Sequence, residues 1–290
     1  MALFRSNEGN AICLMILGAG MLTMNDAATK YLAESYPMGQ VLGLRQSVTL
    51  LIIFAYVVWS GSWEKLRINH SSGQAWRAAV HCGSAFLIVW ALTLLPIATV
   101  TAIVFSSPLI VLIFSMRLLE EEVSWQRWIA VIIGFTGVLV IVRPGGVSFE
   151  WALLVAVAAA FASGFRDLLT RRLSRTDTSI SMLFWASALL IVLSLLTIPF
   201  GWKPLTLSGG FWFIINGFLN AAAHFLMIEA LRLGHAALVS PFRYSAILWA
   251  ILTGFIVWEQ LPDAFTVAGA VMLIISGILI SHPNGKRSKG

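Results

Sequence analysis

The chain has 290 residues, 59% of them hydrophobic and only 11% charged, against roughly 25% charged in an ordinary soluble domain. No soluble fold buries that much apolar surface, so lipid must be the solvent for most of the chain. The net charge of +6 and pI near 9.7 would suit nucleic acid, but the cations are distributed by side of a membrane, which argues against a nucleic-acid partner.

Runs of about 20 apolar residues predict ten transmembrane helices, near 9–31, 38–59, 75–95, 97–118, 126–143, 149–172, 177–200, 210–232, 235–258 and 263–281. The first resembles a signal peptide in having Arg5 before an apolar run with Gly18 to Gly20. That run continues through Tyr31, so a retained helix is expected. The longest connection, 60–74, leaves no room for a soluble domain, and function is expected inside the bilayer. With the N-terminus inside, cytoplasmic segments collect Arg5, Lys65, Arg67, Arg77, Arg117, Arg127, Arg171, Arg172, Arg175, Arg232, Lys286, Arg287 and Lys289. Outer loops hold Arg143 and Lys203, with Lys30 near that side. This bias predicts cytoplasmic N- and C-termini.

Taken along the chain, the polar and ionisable residues at membrane depth are the informative ones, because each is costly unless it faces a cavity or a partner. Asn25 and Asp26, with Lys30 one turn on, fall in the outer third of the first span, and Arg45 falls near the middle of the second. Asp26 is expected to gate the outer end by pairing with Lys30 or Arg45; a static ion pair and a proton relay are the alternatives. Cys13 and Cys82 lie in apolar runs with no ligand-like spacing and are expected to be inert. Trp90 in the third span and Phe105 in the fourth are aromatic candidates for a cavity wall, and Ser106-Ser-Pro108 is a candidate helix irregularity. Glu120, Glu121 and Glu122 form an acidic run expected to be a solvated loop.

In the sixth span, Arg166 and Asp167 lie in the inner third; Asp167 is expected to gate the inner end through Arg166 or Arg171, a static ion pair holding helix ends together being the alternative. His224 in the eighth span is either a proton-coupling group or a hydrogen-bonded packing residue. Glu229 is a candidate cavity partner of Trp90, or the salt-bridge partner of Arg232 or Arg243. The ninth span carries Ser240-Pro-Phe-Arg-Tyr; Arg243 is the leading candidate for a substrate-binding cation, with Tyr244 beside it. Trp59, Trp63, Trp125, Trp128, Trp151, Trp202 and Trp258 are expected at the interfaces as anchors. Gly134, Gly137, Gly269 and Gly277 permit close helix approach in the fifth and tenth spans, either within the repeat or in a homodimer face.

Two stretches of the chain repeat. Phe86–Val100 aligns without a gap on Phe225–Val239 at an offset of 139, sharing Phe, Leu, Ala, Leu, Leu, Ala and Val. Each copy then runs through a further span to an acidic turn and a glycine-bearing helix, and Asp26 aligns with Asp167 at an offset of 141. Repeats of five spans, 9–143 and 149–281, lie inverted with respect to one another, which puts the two aspartates at mirrored depths and is a transporter layout. No DDxxD, HExxH, CxxC or GxxxxGK[ST] motif occurs. No metal, cofactor or enzymatic chemistry is therefore expected, and ATP-driven transport by this chain is excluded.

The two copies resemble the EamA repeat of the drug/metabolite transporter superfamily over essentially the whole chain. Asn25-Asp26 with Lys30, Trp125-Gln-Arg-Trp128, Ile180-Ser-Met-Leu-Phe184, Pro241-Phe-Arg-Tyr244 and Glu259-Gln-Leu-Pro-Asp263 resemble the bacterial branch containing S-adenosylmethionine and riboflavin uptake carriers. The resemblance implies a ten-helix carrier of the bacterial inner membrane, with a central cavity, alternating access and a small-molecule substrate. Joined to Arg45, Arg243 and the aromatics Trp90, Phe105 and Tyr244, it makes riboflavin uptake the first expectation. S-adenosylmethionine uptake is the second, and export of an amino acid, drug or metabolite the third.

Overall fold

The computed structural model describes residues 6–104, 106–107, 109–111, 114, 125–142, 151–173, 176–233 and 239–281. Arg5, Phe105, Pro108, Arg117, Glu120 to Glu122, Arg143, Arg175 and the basic C-terminal residues lie outside these, as do the side chains of Arg127, Arg171, Arg232 and Pro241.

In lipid a backbone must satisfy its own hydrogen bonds, and a helix does so within one segment. The described residues form ten α-helices: α1 Ser6–Ala33, α2 Met38–Ser60, α3 Ser71–Leu94, α4 Ile97–Val104, α5 Trp125–Val142, α6 Ala152–Leu173, α7 Ser179–Leu195, α8 Leu207–Leu233, α9 Ser245–Trp258 and α10 Ala264–Ser281. Five stretches, Gly9–Ala33, Met38–Ser60, Ser71–Leu94, Ala152–Thr170 and Leu207–Ala230, are long and apolar enough to cross a membrane, and the rest are shorter apolar helices.

Local chemistry sets the helix ends. Pro37 precedes α2, which stops at Gly61; that residue takes the left-handed conformation (φ 64°) and returns its N–H to Val57 and Val58. Thr178 caps α7 by accepting from the Ser181 N–H at 3.1 Å. Both members of the fourth pair of spans carry an irregular turn. Ser106 and Leu109 donate to residues only three positions back, Ile103 and Ser106, and Ser240–Tyr244 forms a 3₁₀ turn before α9.

The outside is apolar, and the inside combines hydrophobic core clusters with buried polar side chains. Leu51, Leu196, Leu248 and Ile256 are each at least 66% exposed, whereas Arg45, Arg77, Gln46, Gln74, Asn216 and Asn220 are each at most 6% exposed. Trp59 and Trp125, 86% and 74% exposed, stand at helix ends. Cys82 is buried and Cys13 exposed.

The helix contacts are exchanged by swapping the two halves. α1 packs most extensively on α8 and α3 on α6; replacing each helix by its counterpart five places along turns the first contact into the second. The same exchange relates α2–α8 to α3–α7 and α1–α9 to α4–α6, and returns α2–α7, α4–α9 and α5–α10 to themselves. The fold is thus two inverted five-helix repeats, and its largest contacts run between the repeats.

The α5–α10 contact shows why glycine recurs there. A Cβ on Gly137 would lie 2.9 Å from the Gly269 carbonyl, and one on Gly269 would lie 2.5 Å from the Gly137 carbonyl. Gly134 faces Ser276, whose hydroxyl donates to the Ala130 carbonyl at 2.6 Å, and Gly277 faces Tyr244. These small-residue faces are covered within one chain, so a homodimer through α5 and α10 would have to use their other faces. Gly269→Val is expected to overpack this contact and cost about 2 kcal/mol. Gly83→Ala, with no atom within 4 Å of the added Cβ, is expected to be neutral or stabilising by up to about 1 kcal/mol. Thermal unfolding of the purified protein in detergent checks both.

Candidate functional site

Buried polar side chains gather in two clusters on the bundle axis. The first lies toward the end where α1 turns into α2. Asn25 donates to the Asn216 backbone carbonyl at 3.0 Å and to its side-chain oxygen. Asn216 donates to the Thr29 hydroxyl at 3.1 Å. Arg45 Nη1 donates to Thr29 at 3.2 Å and to Asn25 Oδ1 at 3.4 Å. The four-residue spacing puts Asn25 and Thr29 on one face of α1, toward α2 and α8, and turns Asp26 to the adjacent face.

Asp26 lines a cavity there and has no hydrogen bond or ion pair within 4 Å among the described residues. Neither expected partner is bonded to it. Lys30 donates to the Leu95 carbonyl at 2.7 Å and sits 5.6 Å over the Trp258 ring, whose Nε1 donates to Glu34. It therefore stabilises the C-terminal end of α3. Arg45 remains near enough to act on Asp26 through its charge.

A polar seam continues between α2, α7 and α8. Gln46 donates to Ser187 at 2.8 Å, Asn220 donates to Gln46 at 3.2 Å and to Thr49 at 3.0 Å, and Thr49 donates to the Gly217 carbonyl at 3.0 Å. A Cβ on Gly217 would lie 2.7 Å from the Arg45 carbonyl, so glycine lets α2 and α8 approach closely enough for this bond.

The second cluster lies toward the end where α1 begins and α10 stops. Asp167 Oδ1 accepts from Arg166 Nε at 3.0 Å and Nη2 at 2.9 Å, and Oδ2 accepts from Arg243 Nη1 at 2.7 Å. The Arg243 partner is therefore Asp167 and not Glu229. Arg77, assigned from sequence to the cytoplasmic cations, is 4% exposed. It donates to Thr170 Oγ1 and to the Met182 carbonyl, each at 2.8 Å, tying α3 to α6 and α7. The rings of His81 and His224 meet edge to face at 5.8 Å.

Two cavities flank this cluster. The first is lined by Asn25, Asp26, Arg45, Ser163 and Asn220, the second by Gln46, Arg77, Asp167 and Thr170. Arg166, Arg243, His81 and His224 line both and so form the partition between them. Arg45 Nε, His81 Nδ1, Ser163 Oγ and Arg243 Nε are buried without a hydrogen-bond partner, and all four residues border the first cavity. Buried polar atoms are satisfied in nearly all folded proteins, and these four leave hydrogen-bonding capacity open at the cavity wall. The cavity volumes, about 60 and 50 Å³, hold only a few waters each.

Of the residues singled out from sequence, the structure brings Asn25, Asp26, Arg45, Arg166, Asp167, His224 and Arg243 to the cavities. It does not bring Trp90, Glu229 or Tyr244. Trp90 is 40% exposed and faces Trp151 at 6.0 Å. Glu229 accepts from Ser179 Oγ at 3.2 Å and lines neither cavity. Tyr244 is buried in the hydrophobic core against α10. Sequence reasoning missed Thr29, Gln46, Asn216 and Asn220; their signal was a four-residue spacing of amides within apolar α8 matched by Arg45, Gln46 and Thr49 on α2.

The model of the family described as EamA-like transporter family matches residues 9–143 and again 150–282. The chain belongs to the EamA-like transporter family. It is thus a multi-pass membrane protein of a transporter family. Among similar proteins, the S-adenosylmethionine uptake transporter of Rickettsia prowazekii is 24% identical over 280 residues, covering 96% of this chain and 94% of that one. The riboflavin transporter of Vibrio cholerae is 25% identical over 284 residues, covering 96% and 95%. The pseudopaline exporter of Pseudomonas aeruginosa is 22% identical over 281 residues, covering 94% and 96%. A solved crystal structure matches with a TM-score of 0.68 over 95% of this chain and 96% of that chain at 18% identity, a likeness of fold.

The bonding pattern separates the two aspartates by stability. Asp167→Ala leaves two guanidiniums without their shared carboxylate and is expected to cost about 3 kcal/mol. Asp26→Ala removes a group with no direct bond and is expected to cost about 1 kcal/mol or less. Thermal unfolding of the two variants in detergent measures the difference.

Proposed function

We propose that this EamA-family protein is a secondary transporter of the bacterial inner membrane, not an enzyme, with both termini in the cytoplasm. It moves a small polar metabolite by alternating access about the two axial cavities. The observation that carries this reading is the placement of the buried polar atoms. They line a path along the bundle axis, and the inverted repeats put a cluster joining several helices near each end of it. In the described conformation the cavities are too small for a metabolite, so loading requires the helices around them to part.

S-adenosylmethionine is the cargo we favour. Asp26 presents a carboxylate with no ion pair to the first cavity, in a place that suits a sulfonium or amine. The similarity to uptake transporters named for this compound supports the assignment. Riboflavin is the second reading, supported by the relatives named riboflavin transporters. Its stacking partners lose weight, because Trp90 and Tyr244 line neither cavity and Phe105 lies outside the described residues. Uptake is the proposed direction, although an exporter is also among the relatives.

Uptake of labelled S-adenosylmethionine and labelled riboflavin by cells expressing the chain tests both. S-adenosylmethionine is expected to accumulate above the empty-vector background. Asp26→Asn is expected to reduce that uptake at least tenfold with membrane insertion unchanged. Accumulation of riboflavin alone would replace the first cargo by the second, and accumulation of neither would reject both.

A further inference from the structure

The charges around the second cavity do not balance. Arg77, Arg166 and Arg243 line it together with one carboxylate, Asp167. That carboxylate is divided between Arg166 at 2.9 Å and Arg243 at 2.7 Å. The hydrogen bonds of Arg77 go to neutral acceptors, Thr170 and the Met182 carbonyl. Asp26 borders the first cavity, which Arg45, Arg166 and Arg243 also line, and is bonded directly to none of them. Over the two cavities the described lining residues therefore hold four guanidiniums, Arg45, Arg77, Arg166 and Arg243, against two carboxylates, Asp26 and Asp167. Buried charge is tolerated when it is paired, and here the pairing is incomplete. Two buried nitrogens on the same wall, Arg243 Nε and His81 Nδ1, have no partner either, and His81 is only 6% exposed.

We infer that the second cavity is a carboxylate subsite, in which Arg77, Arg166 and Arg243 take the carboxylate of the cargo and Asp167 holds their guanidiniums while the site is empty. Guanidinium forks meet a carboxylate through paired N–H···O bonds, and several guanidiniums around one space suit a second carboxylate beside Asp167. Asp167 then acts as an internal competitor. An arriving carboxylate shares the guanidiniums with it and weakens the ion pair that fastens α6 to the turn before α9. Cargo binding and loosening of that link become one event, as a carrier that opens only when loaded requires. The bearer of the carboxylate rests on the transport reading above; the subsite itself rests on the charge imbalance.

The test uses the purified full-length chain in detergent, with thermal unfolding as the readout and L-methionine, L-methioninamide and inorganic phosphate as probes. L-methionine is expected to raise the unfolding temperature in a saturable way, whereas its uncharged-carboxyl analogue methioninamide and phosphate have little effect. Arg243→Gln and Arg77→Gln are expected to lose the response. Asp167→Asn, which removes the competitor but keeps the shape, is expected to bind L-methionine about tenfold more tightly; a residue with a merely structural role would not strengthen binding on removal. Equal responses to L-methionine and L-methioninamide, or no response to either, would overturn the subsite, as would an unchanged response in Arg243→Gln. A larger response to phosphate would overturn its assignment to carboxylate. If Asp167→Asn does not fold, the wild-type comparison and Arg243→Gln still decide. A persistent L-methionine response without S-adenosylmethionine uptake sinks the cargo and keeps the subsite; uptake without the response sinks the subsite alone.

Discussion

Asp167, held between Arg166 on its own helix and Arg243 in the turn before α9, is the interaction on which the site depends. It fixes two of the four residues that divide the axial path into two cavities, and it sets how much positive charge each cavity presents. Lipid makes this arrangement consequential. The lipid-facing sides of the helices are mostly apolar, so at membrane depth an ionisable group is least costly on the axis. Among the described residues, Arg45, Arg77, Arg166 and Arg243 gather there with two aspartates, Asp26 and Asp167.

Inverted repeats imply equivalence, yet the two ends of the path are built from different chemistry. Toward the α1–α2 connection, α1, α2 and α8 are joined by amides, hydroxyls and one guanidinium, and the nearby aspartate stays out of the network. Toward the termini, α6 and the turn before α9 are joined through a carboxylate and two guanidiniums. Neutral hydrogen bonds and ion pairs respond differently to a charged ligand: a carboxylate competes directly for arginines held by Asp167 and much less for an Asn–Asn contact. On the proposed transport reading, this asymmetry on a symmetric backbone makes the same cargo affect the two ends unequally.

The fold was legible because lipid simplifies the sequence. Ten apolar runs, an offset of 139 between two of them and an odd number per copy specify the inverted repeats, and the helix contacts obey the exchange those repeats demand. The charged members of the site were legible for a related reason, since a buried Arg45, Asp167 or Arg243 stands out against apolar neighbours. Partners were not. Asp26 and Arg45 share a depth, but the helix rotation that turns Asp26 into the cavity gives Arg45 to Asn25 and Thr29 instead. Arg243 could reach either Glu229 or Asp167 by depth, and in the structure its guanidinium extends to Asp167 on α6. Aromatic side chains carry the least information of this kind: Trp90 and Tyr244 are equally at home facing lipid, core or cavity, and here they take the first two.

The central claim is that this axial space opens in turn to the two sides of the membrane. Ser163, whose buried hydroxyl borders the first cavity without a partner, is the position from which to measure it. In a chain with Cys13 and Cys82 replaced, Ser163→Cys in oriented vesicles should react with a membrane-impermeant thiol reagent applied to either side, and saturating cargo should change the two rates in opposite directions. Reaction from one side alone, with and without cargo, or from neither, would contradict the account.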